Sequence, residues 1–244
     1  MSMATALSLP IQALTDWFLD GVMPPPDQGP TPGPSARLAL GVRVINLGDR
    51  WAAVSLQRES PELLVIDGFL TPEECDALMA AALPRLTVSE TVADDESDRV
   101  RTSQGMFFDP GETALIRRID ARVATAFDWP LTHAEDLQVT RYQAGQRYDP
   151  HYDYFSADTP DDISGVRHFG QRVATVLFYL NEPVAGGETE FLDLQLTVRP
   201  RKGCAVFFTY PEASPSSLTL HAGCPVAAGE KWIANKWLRR KAFG

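Results

Sequence analysis

Apolar residues recur at helical spacing near the start of the chain, at Leu7, Ile11, Leu14, Phe18 and Val22. The proline-rich stretch at 23–34 then breaks any helix. The pattern therefore predicts a short helix and a stiff linker over residues 1–35, followed by one larger unit over 36–244. The helix either binds a partner or packs on the surface of its own domain, and the second of these is the more common arrangement.

A buried strand and two helices are predicted in the next part of the chain. The apolar run at 63–69 is typical of a buried strand. Thr71, a proline after it and a glutamate three positions later form the N-terminal signature of a helix, which we expect at 72–83. The acidic residues at 94–98 predict an exposed loop, and the apolar spacing at 114–127 predicts a second, amphipathic helix.

Beyond residue 136 the chain changes to short runs typical of β-strands, which glycine, proline and acidic residues separate. Strands are predicted at 137–142, 172–180, 188–192, 195–198, 204–208, 217–220 and 231–238. Helices followed by strands indicate an α+β chain. We expect its core to be a double-stranded β-helix, or jelly roll, with supporting helices on the N-terminal side.

Composition and charge narrow the classes of function. The 244 residues carry 22 Lys+Arg against 32 Asp+Glu, so the net charge of −10 disfavours nucleic acid and anionic membranes as partners. The three cysteines Cys75, Cys204 and Cys224 are too scattered for a disulfide framework, and no N-terminal secretion signal or apolar run of membrane-spanning length is present. We therefore expect a soluble, cytoplasmic protein; the oligomeric state stays open.

Three residues are candidates for a metal site. In an extended segment the side chains of His151 and Asp153 point to the same face, so an imidazole and a carboxylate can reach one ion. His221 is the candidate third ligand. Two histidines and one carboxylate suit non-haem Fe(II), because three protein ligands leave positions free for a co-substrate and oxygen. The remaining histidines, His133 and His168, are predicted to lie on the surface.

Four segments give the chain a specific resemblance. Residues 140–153 and 221–232 are similar to the two metal-binding motifs of prolyl 4-hydroxylases, which are iron(II)- and 2-oxoglutarate-dependent oxygenases. Residues 172–181 and 186–191 are similar to the two strands that lie between those motifs in that family. The motifs occur in the family's order, and the resemblance covers roughly residues 63–240.

The resemblance implies Fe(II), 2-oxoglutarate and O2 as cofactors, with ascorbate in support. The two histidines and the aspartate named above would hold the iron. Lys231 would bind the distal carboxylate of 2-oxoglutarate, together with the hydroxyl groups of Tyr142 and Thr189. Independently of the family, a lysine that begins an apolar strand is costly to bury unless an anion pairs with it. Cys224 matches a small buried cysteine of the family, so we expect it to pack rather than to bind metal.

For the acceptor, the resemblance points to Tyr148, Arg172 and Trp237 as pocket residues, and to Arg101 near a substrate loop. An aromatic wall beside an arginine suits a proline ring next to a carbonyl group. We expect the segments at 94–99 and 158–170 to be flexible loops that border an open groove.

Two departures from the family pattern concern the acceptor. Arg239 stands where many prolyl hydroxylases carry a histidine, and Leu192 stands where a proline is common. The expected activity is hydroxylation of a prolyl residue in a peptide or protein, coupled to conversion of 2-oxoglutarate to succinate and carbon dioxide. One alternative is hydroxylation of a free amino acid or another small molecule. Another is a catalytically silent binding or sensing module, although such a module has no reason to keep all the metal and co-substrate residues.

Overall fold

A computed structural model describes residues 43–88, 103–156 and 160–243 of the protein. The predicted N-terminal helix and linker, the acidic loop at 94–98 and Arg101 lie outside these residues. No helix in the described part of the chain is long and apolar enough to cross a bilayer.

The described residues contain fifteen β-strands. In chain order they are β1 Val44–Asn46, β2 Trp51–Glu59, β3 Glu62–Asp67, β4 Thr87–Val88, β5 Gln104–Phe108, β6 Leu137–Gln143, β7 Tyr148–His151, β8 Arg172–Tyr179, β9 Ala185–Gly186, β10 Thr189–Phe191, β11 Leu196–Val198, β12 Ala205–Thr209, β13 His221–Gly223, β14 Val226–Ala228 and β15 Glu230–Arg239.

Three α-helices accompany the strands: α1 Pro72–Ala82, α2 Ala114–Phe127 and α3 Pro160–Phe169. The predicted capping box of α1 is confirmed, since the Thr71 hydroxyl accepts from the Glu74 backbone N–H and the Glu74 carboxylate accepts from the Thr71 N–H. Helix α2 covers the predicted range. These two helices are specified locally, by a cap and an apolar stripe.

Helix α3 contradicts the prediction of a flexible loop at 158–170. Its sequence begins with a proline and two aspartates, which suit a helix N-terminus through the fixed φ of proline and the helix dipole. It ends at Gly170, whose φ of +71° lies in the left-handed region and whose N–H donates to the Val166 carbonyl. These start and stop signals were present in the sequence, but the polar character of the segment concealed them.

The strands build a two-layered, antiparallel jelly roll, as predicted. The larger sheet has nine strands in the order β1-β2-β3-β12-β8-β15-β6-β5-β4, and the smaller sheet has four in the order β11-β10-β13-β7. The remaining two strands, β14 and β9, pair with each other. The larger sheet packs against a different hydrophobic core on each face, as the side chains of strand β8 show. Val176 and Phe178 belong to the core that includes α1 and α2, whereas Leu177 and Tyr179 face the core between the two sheets.

The predicted strand at 217–220 is wrong. Residues Pro215–Ser217 form a short 3-10 helix, which the Ser214 hydroxyl caps, and Leu218 follows in the left-handed region. The strand begins only at His221. The strands that were not predicted are β1, β2, β4, β5, β7, β9, β13 and β14.

Candidate active site

His151 and His221 lie side by side on two neighbouring strands of the smaller sheet. They are register partners in the antiparallel pair of β7 and β13, and they are 7% and 5% exposed. Each Nδ1 lies 2.8–2.9 Å from the backbone carbonyl two residues earlier, at Asp149 and Thr219. A carbonyl can only accept, so each Nδ1 carries the proton, and each Nε2 is the ring nitrogen with the lone pair that a metal requires.

Asp153 completes the cluster. Its two carboxylate oxygens lie 3.7 Å from Nε2 of His151 and 3.8 Å from Nε2 of His221, and the three potential ligand atoms all lie within 4.8 Å of one another. Burial alone would raise the pKa of Asp153, but the neighbouring His221, His151 and Arg172 outweigh burial and lower it. An ionised carboxylate with two imidazoles is the donor set that fits Fe(II).

A cavity of about 210 Å³ opens beside this cluster, between the two sheets. Strand β15 forms one wall. Because side chains alternate along a strand, Lys231, Ile233, Asn235 and Trp237 all face the cavity. From the first to the last of them the strand spans roughly 20 Å, so the cavity has two chemically distinct ends.

Lys231 lies at one end of the cavity wall, only 2% exposed. Its Nζ lies 5.7 Å and 5.8 Å from the ring centres of Tyr142 and Tyr179, and no carboxylate within the described ranges comes within ion-pair distance of it. Burial lowers the pKa of Lys231 from 10.5 to about 8. A buried ammonium without a counter-ion is a site for an anion.

Two neighbours of Lys231 shape this anion site. Gly187, at φ +77°, leaves room for the lysine stem, because a Cβ there would lie 3.2 Å from the lysine Cδ. The buried Thr189 accepts a hydrogen bond of 2.7 Å from the Tyr179 hydroxyl. The proton of the Thr189 hydroxyl is therefore free to point into the cavity, which it lines.

Arg172 and Trp237 lie at the other end. The guanidinium of Arg172 forms two hydrogen bonds with Glu135, of 2.6 Å and 2.7 Å, and a third of 3.3 Å with the Asp153 carbonyl. It lies over the rings of Trp237 and Phe155, at 3.9 Å and 4.6 Å from their centres. Glu135 thus holds the arginine flat against an aromatic wall.

Arg239 shares the same carboxylate. Its Nε donates to Glu135 at 2.5 Å, and its Nη1 donates to the Gly170 carbonyl at 2.8 Å. Arg239, one of the two residues that depart from the family pattern, is thus buried and hydrogen-bonded, and neither it nor Leu192 lines the cavity.

Comparisons with known proteins agree with this geometry. A family model of the 2OG-Fe(II) oxygenase superfamily matches residues 137–239. Prolyl 4-hydroxylase 1 of Arabidopsis thaliana is 40% identical over 205 residues, which cover 75% of this chain and 70% of that protein. Probable prolyl 4-hydroxylase 3 of the same plant is 39% identical over 217 residues, covering 78% and 73%. The chain belongs to the prolyl 4-hydroxylase family.

A solved structure gives the same result. The viral collagen prolyl hydroxylase of Paramecium bursaria Chlorella virus-1, in complex with 2-oxoglutarate, superposes with a TM-score of 0.58 at 35% identity, over 72% of this chain and 95% of that one. The protein is therefore an enzyme of the 2-oxoglutarate-dependent dioxygenase class. Its cofactors are Fe(II), 2-oxoglutarate and O2, as members of the family use.

The structure brings most of the predicted site residues of this prolyl 4-hydroxylase family member to one cavity. The cavity is lined by Tyr142, Tyr148, His151, Asp153, Arg172, Thr189, His221, Lys231 and Trp237. Tyr148 stacks on the His151 ring, with 3.7 Å between the centres. His168 is exposed on α3, as predicted, whereas His133 is half-buried against Trp129 rather than on the surface. Cys224 is half-buried, outside the potential metal ligands.

Several residues of the site were missed from the sequence. Glu135, Thr175 and Tyr210 support the predicted residues from behind, and Gln138 and Asn235 line the cavity floor as register partners on β6 and β15. No motif marks these polar residues. The only available signal was a polar residue at a core-facing position of a predicted strand, as with Thr175 in β8 and Asn235 in β15.

Proposed function

We propose that this protein hydroxylates a prolyl residue within a peptide or protein, with His151, Asp153 and His221 holding the iron. Bound Fe(II) would supply the oxidative chemistry, in which 2-oxoglutarate and O2 give succinate and carbon dioxide, with one oxygen atom of O2 entering succinate and the other hydroxylating a C–H bond of the acceptor. Lys231 binds the distal carboxylate of 2-oxoglutarate, and the Thr189 hydroxyl donates to it. Tyr142 completes that end of the cavity.

One observation carries this proposal: a two-histidine, one-carboxylate cluster shares a cavity with a buried lysine that has no protein counter-ion in the described part of the chain. A five-carbon dicarboxylate that also binds the metal explains both features at once. A structural metal would need no second anion site, and a silent module would gain nothing from a buried, unpaired ammonium.

The acceptor end supports a prolyl substrate. The face of Trp237 offers an apolar surface on which a pyrrolidine ring can pack. Arg172 keeps guanidinium N–H groups that Glu135 and Asp153 do not engage, and these can donate to a carbonyl next to the proline. The relatives that cover most of this chain are themselves named as prolyl 4-hydroxylases.

Two uncharged polar side chains favour a peptide over a free amino acid. Asn235 and Trp237 both line the cavity. An amide and an indole therefore stand on the same face of β15. Peptide groups carry the matching N–H and C=O, whereas a free amino acid presents an ammonium and a carboxylate, which neutral groups match poorly.

The direct test is an activity screen. The purified protein with Fe(II), ascorbate and 2-oxoglutarate is incubated with proline-rich peptides and, separately, with free proline and related imino acids. Mass spectrometry should show a gain of one oxygen atom on a peptide proline, together with succinate. Hydroxylation of free imino acids while every peptide stays unchanged would transfer the assignment to the small-molecule alternative. Absence of succinate with all acceptors would support the silent module.

Variants test the metal assignment separately. His151→Ala and His221→Ala should each abolish succinate formation and weaken Mn(II) binding by at least about 10-fold, because one of three ligands is lost. His168→Ala is the matched control, since His168 is exposed on α3 and should leave both quantities at the parent value. Parent-like Mn(II) binding in either site variant would contradict the assignment.

A further inference from the structure

Two buried hydroxyl groups link the predicted metal carboxylate to the core between the sheets. The Thr175 Oγ1 lies 2.6 Å from Oδ2 of Asp153 and 2.7 Å from the Tyr210 hydroxyl. Thr175 and Tyr210 are 1% and 0% exposed, so bulk water does not compete for these hydrogen bonds.

The direction of the hydrogen bonds follows from the chemistry of the groups. An ionised carboxylate can only accept, so Thr175 donates its single hydroxyl proton to Asp153. Because the Thr175 hydroxyl has no second proton, its oxygen accepts the hydrogen bond from Tyr210. The Tyr210 hydroxyl therefore donates to Thr175, and Thr175 donates to Asp153.

We propose that Tyr210 is a positioning residue for the metal site, acting through Thr175 to hold one oxygen of Asp153 away from the ion. This inference rests on the proposed metal assignment. With Oδ2 engaged by Thr175, Oδ1 is the oxygen that would be available to hold the metal, and it lies 3.7 Å from Nε2 of His151. The carboxylate then acts as a ligand through one oxygen, and its rotation about the Cβ–Cγ bond is restricted.

The surroundings of Tyr210 show that its hydroxyl is not needed for packing. The ring lies in the apolar core between the sheets, 5.9 Å from the ring centre of Phe208. The Tyr210 N–H donates to the Val173 carbonyl and extends the ladder of β12 and β8. A phenylalanine would keep both features, whereas a buried hydroxyl is tolerated only with a partner.

A second pair of residues repeats this arrangement at the other end of the cavity. Tyr179, also fully buried, donates at 2.7 Å to Thr189, which lines the proposed co-substrate site. The two pairs differ in what the threonine contacts, and the Tyr179 hydroxyl also lies 3.3 Å from the Val198 carbonyl. The pairs supply matched variants, in which each tyrosine loses one hydroxyl group.

The experiment compares Tyr210→Phe and Tyr179→Phe. The Kd for Mn(II) is measured by calorimetry, and the visible spectrum of the Co(II)-loaded protein reports the ligand geometry. Tyr210→Phe should raise the Mn(II) Kd by about 3- to 10-fold and alter the Co(II) spectrum, since outer hydrogen bonds tune metal ligands. Tyr179→Phe should leave both unchanged and raise the KM for 2-oxoglutarate instead.

Variants of Thr175 test whether Tyr210 acts on Asp153 through the Thr175 hydroxyl, an arrangement called the relay below. Thr175→Val should weaken Mn(II) binding at least as much as Tyr210→Phe, and the double variant should be no weaker than Thr175→Val alone, because both changes cut the same chain. Thr175→Ser keeps the hydroxyl group and should restore most of the affinity, which separates the relay from a loss of packing.

The inference is overturned by a parent-like Mn(II) Kd in Tyr210→Phe, or by additive losses in the double variant. These outcomes differ from failure of the proposed function. If the parent protein binds no Mn(II), or if His221→Ala binds it normally, the metal assignment itself fails. No acceptor peptide is needed, so an error about the substrate leaves this test intact.

Discussion

The guanidinium carbon of Arg172 lies 3.9 Å from the centre of the Trp237 indole ring. The two side chains come from neighbouring strands, β8 and β15, and both face the cavity. The contact joins a cation to an aromatic face where water is largely excluded, which strengthens the attraction. It forms a rigid wall at the end of the cavity where we propose that the acceptor binds.

Removing that wall should damage acceptor binding selectively. Trp237→Ala is expected to lower kcat/KM for a proline-containing peptide by roughly 30-fold or more, because a buried aromatic anchor is lost. The KM for 2-oxoglutarate should change by less than about 3-fold, since Lys231 lies at the other end of the strand. Trp51→Ala is the control, because Trp51 is 59% exposed on β2. If binding of the peptide and binding of 2-oxoglutarate were weakened equally, the two substrates would not occupy separate ends of the cavity.

Glu135 should prove important for stability. The variant Glu135→Gln leaves the half-buried Arg172 and the buried Arg239 without their shared carboxylate. Breaking a buried ion pair typically costs about 3–5 kcal/mol in the free energy of unfolding. Urea denaturation measures the loss. Glu112→Gln removes the partner of Arg85 in an exposed pair and should cost far less. Similar losses in both variants would show that burial does not set the cost.

Lys231 should control the affinity for 2-oxoglutarate. Lys231→Ala is expected to raise the KM for 2-oxoglutarate by about 30-fold or more, because the only cation facing the distal carboxylate within the described residues is removed. Lys231→Arg should recover part of the loss, since a planar fork differs from a point charge in reach. A parent-like KM in both variants would exclude the lysine as the anchor.

The pH dependence of co-substrate binding follows from the same lysine. With a pKa of about 8, the free enzyme carries the ammonium below that pH and loses it as the pH rises further. The KM for 2-oxoglutarate should therefore be constant below about pH 8 and rise above it. Cys224 and Glu188 are the titratable groups whose charges favour the ammonium. In Lys231→Arg the KM should stay flat over this range, because a guanidinium does not deprotonate. A rise of equal size in both proteins would assign the effect to another group.

Asn235 should contribute to recognition of the acceptor backbone. Asn235→Leu keeps the size of the side chain but removes its amide, and we expect the peptide KM to rise about 3- to 10-fold while that for 2-oxoglutarate stays unchanged. A series of peptides, each N-methylated at one backbone position near the target proline, provides the second half of a double-mutant cycle. The methyl group that removes the partner N–H should weaken binding to the parent but not to the variant. Identical methylation profiles for both proteins would exclude a hydrogen bond to the backbone.

Much of the fold could be read from local sequence. Helix α2 was predicted over its full range, because its apolar stripe needs no tertiary information. The cap of α1 was also predicted, as were six strands of the C-terminal half, namely β6, β8, β10, β11, β12 and β15. Helix α3 and the 3-10 helix at Pro215–Ser217 were predicted wrongly, since short polar segments carry turn and helix signals of similar strength.

The ligand types and their order along the chain were determined by the sequence, whereas their meeting was decided by the tertiary structure. His151 and Asp153 are close in any extended segment, but His221 joins them only because β13 pairs with β7 in one register. A shift of one residue would turn the side chain to the opposite face. The hydroxyl chain from Tyr210 and the shared carboxylate of Glu135 likewise depend on strands distant in sequence. Local sequence does not encode such contacts, because they arise from the packing of whole sheets.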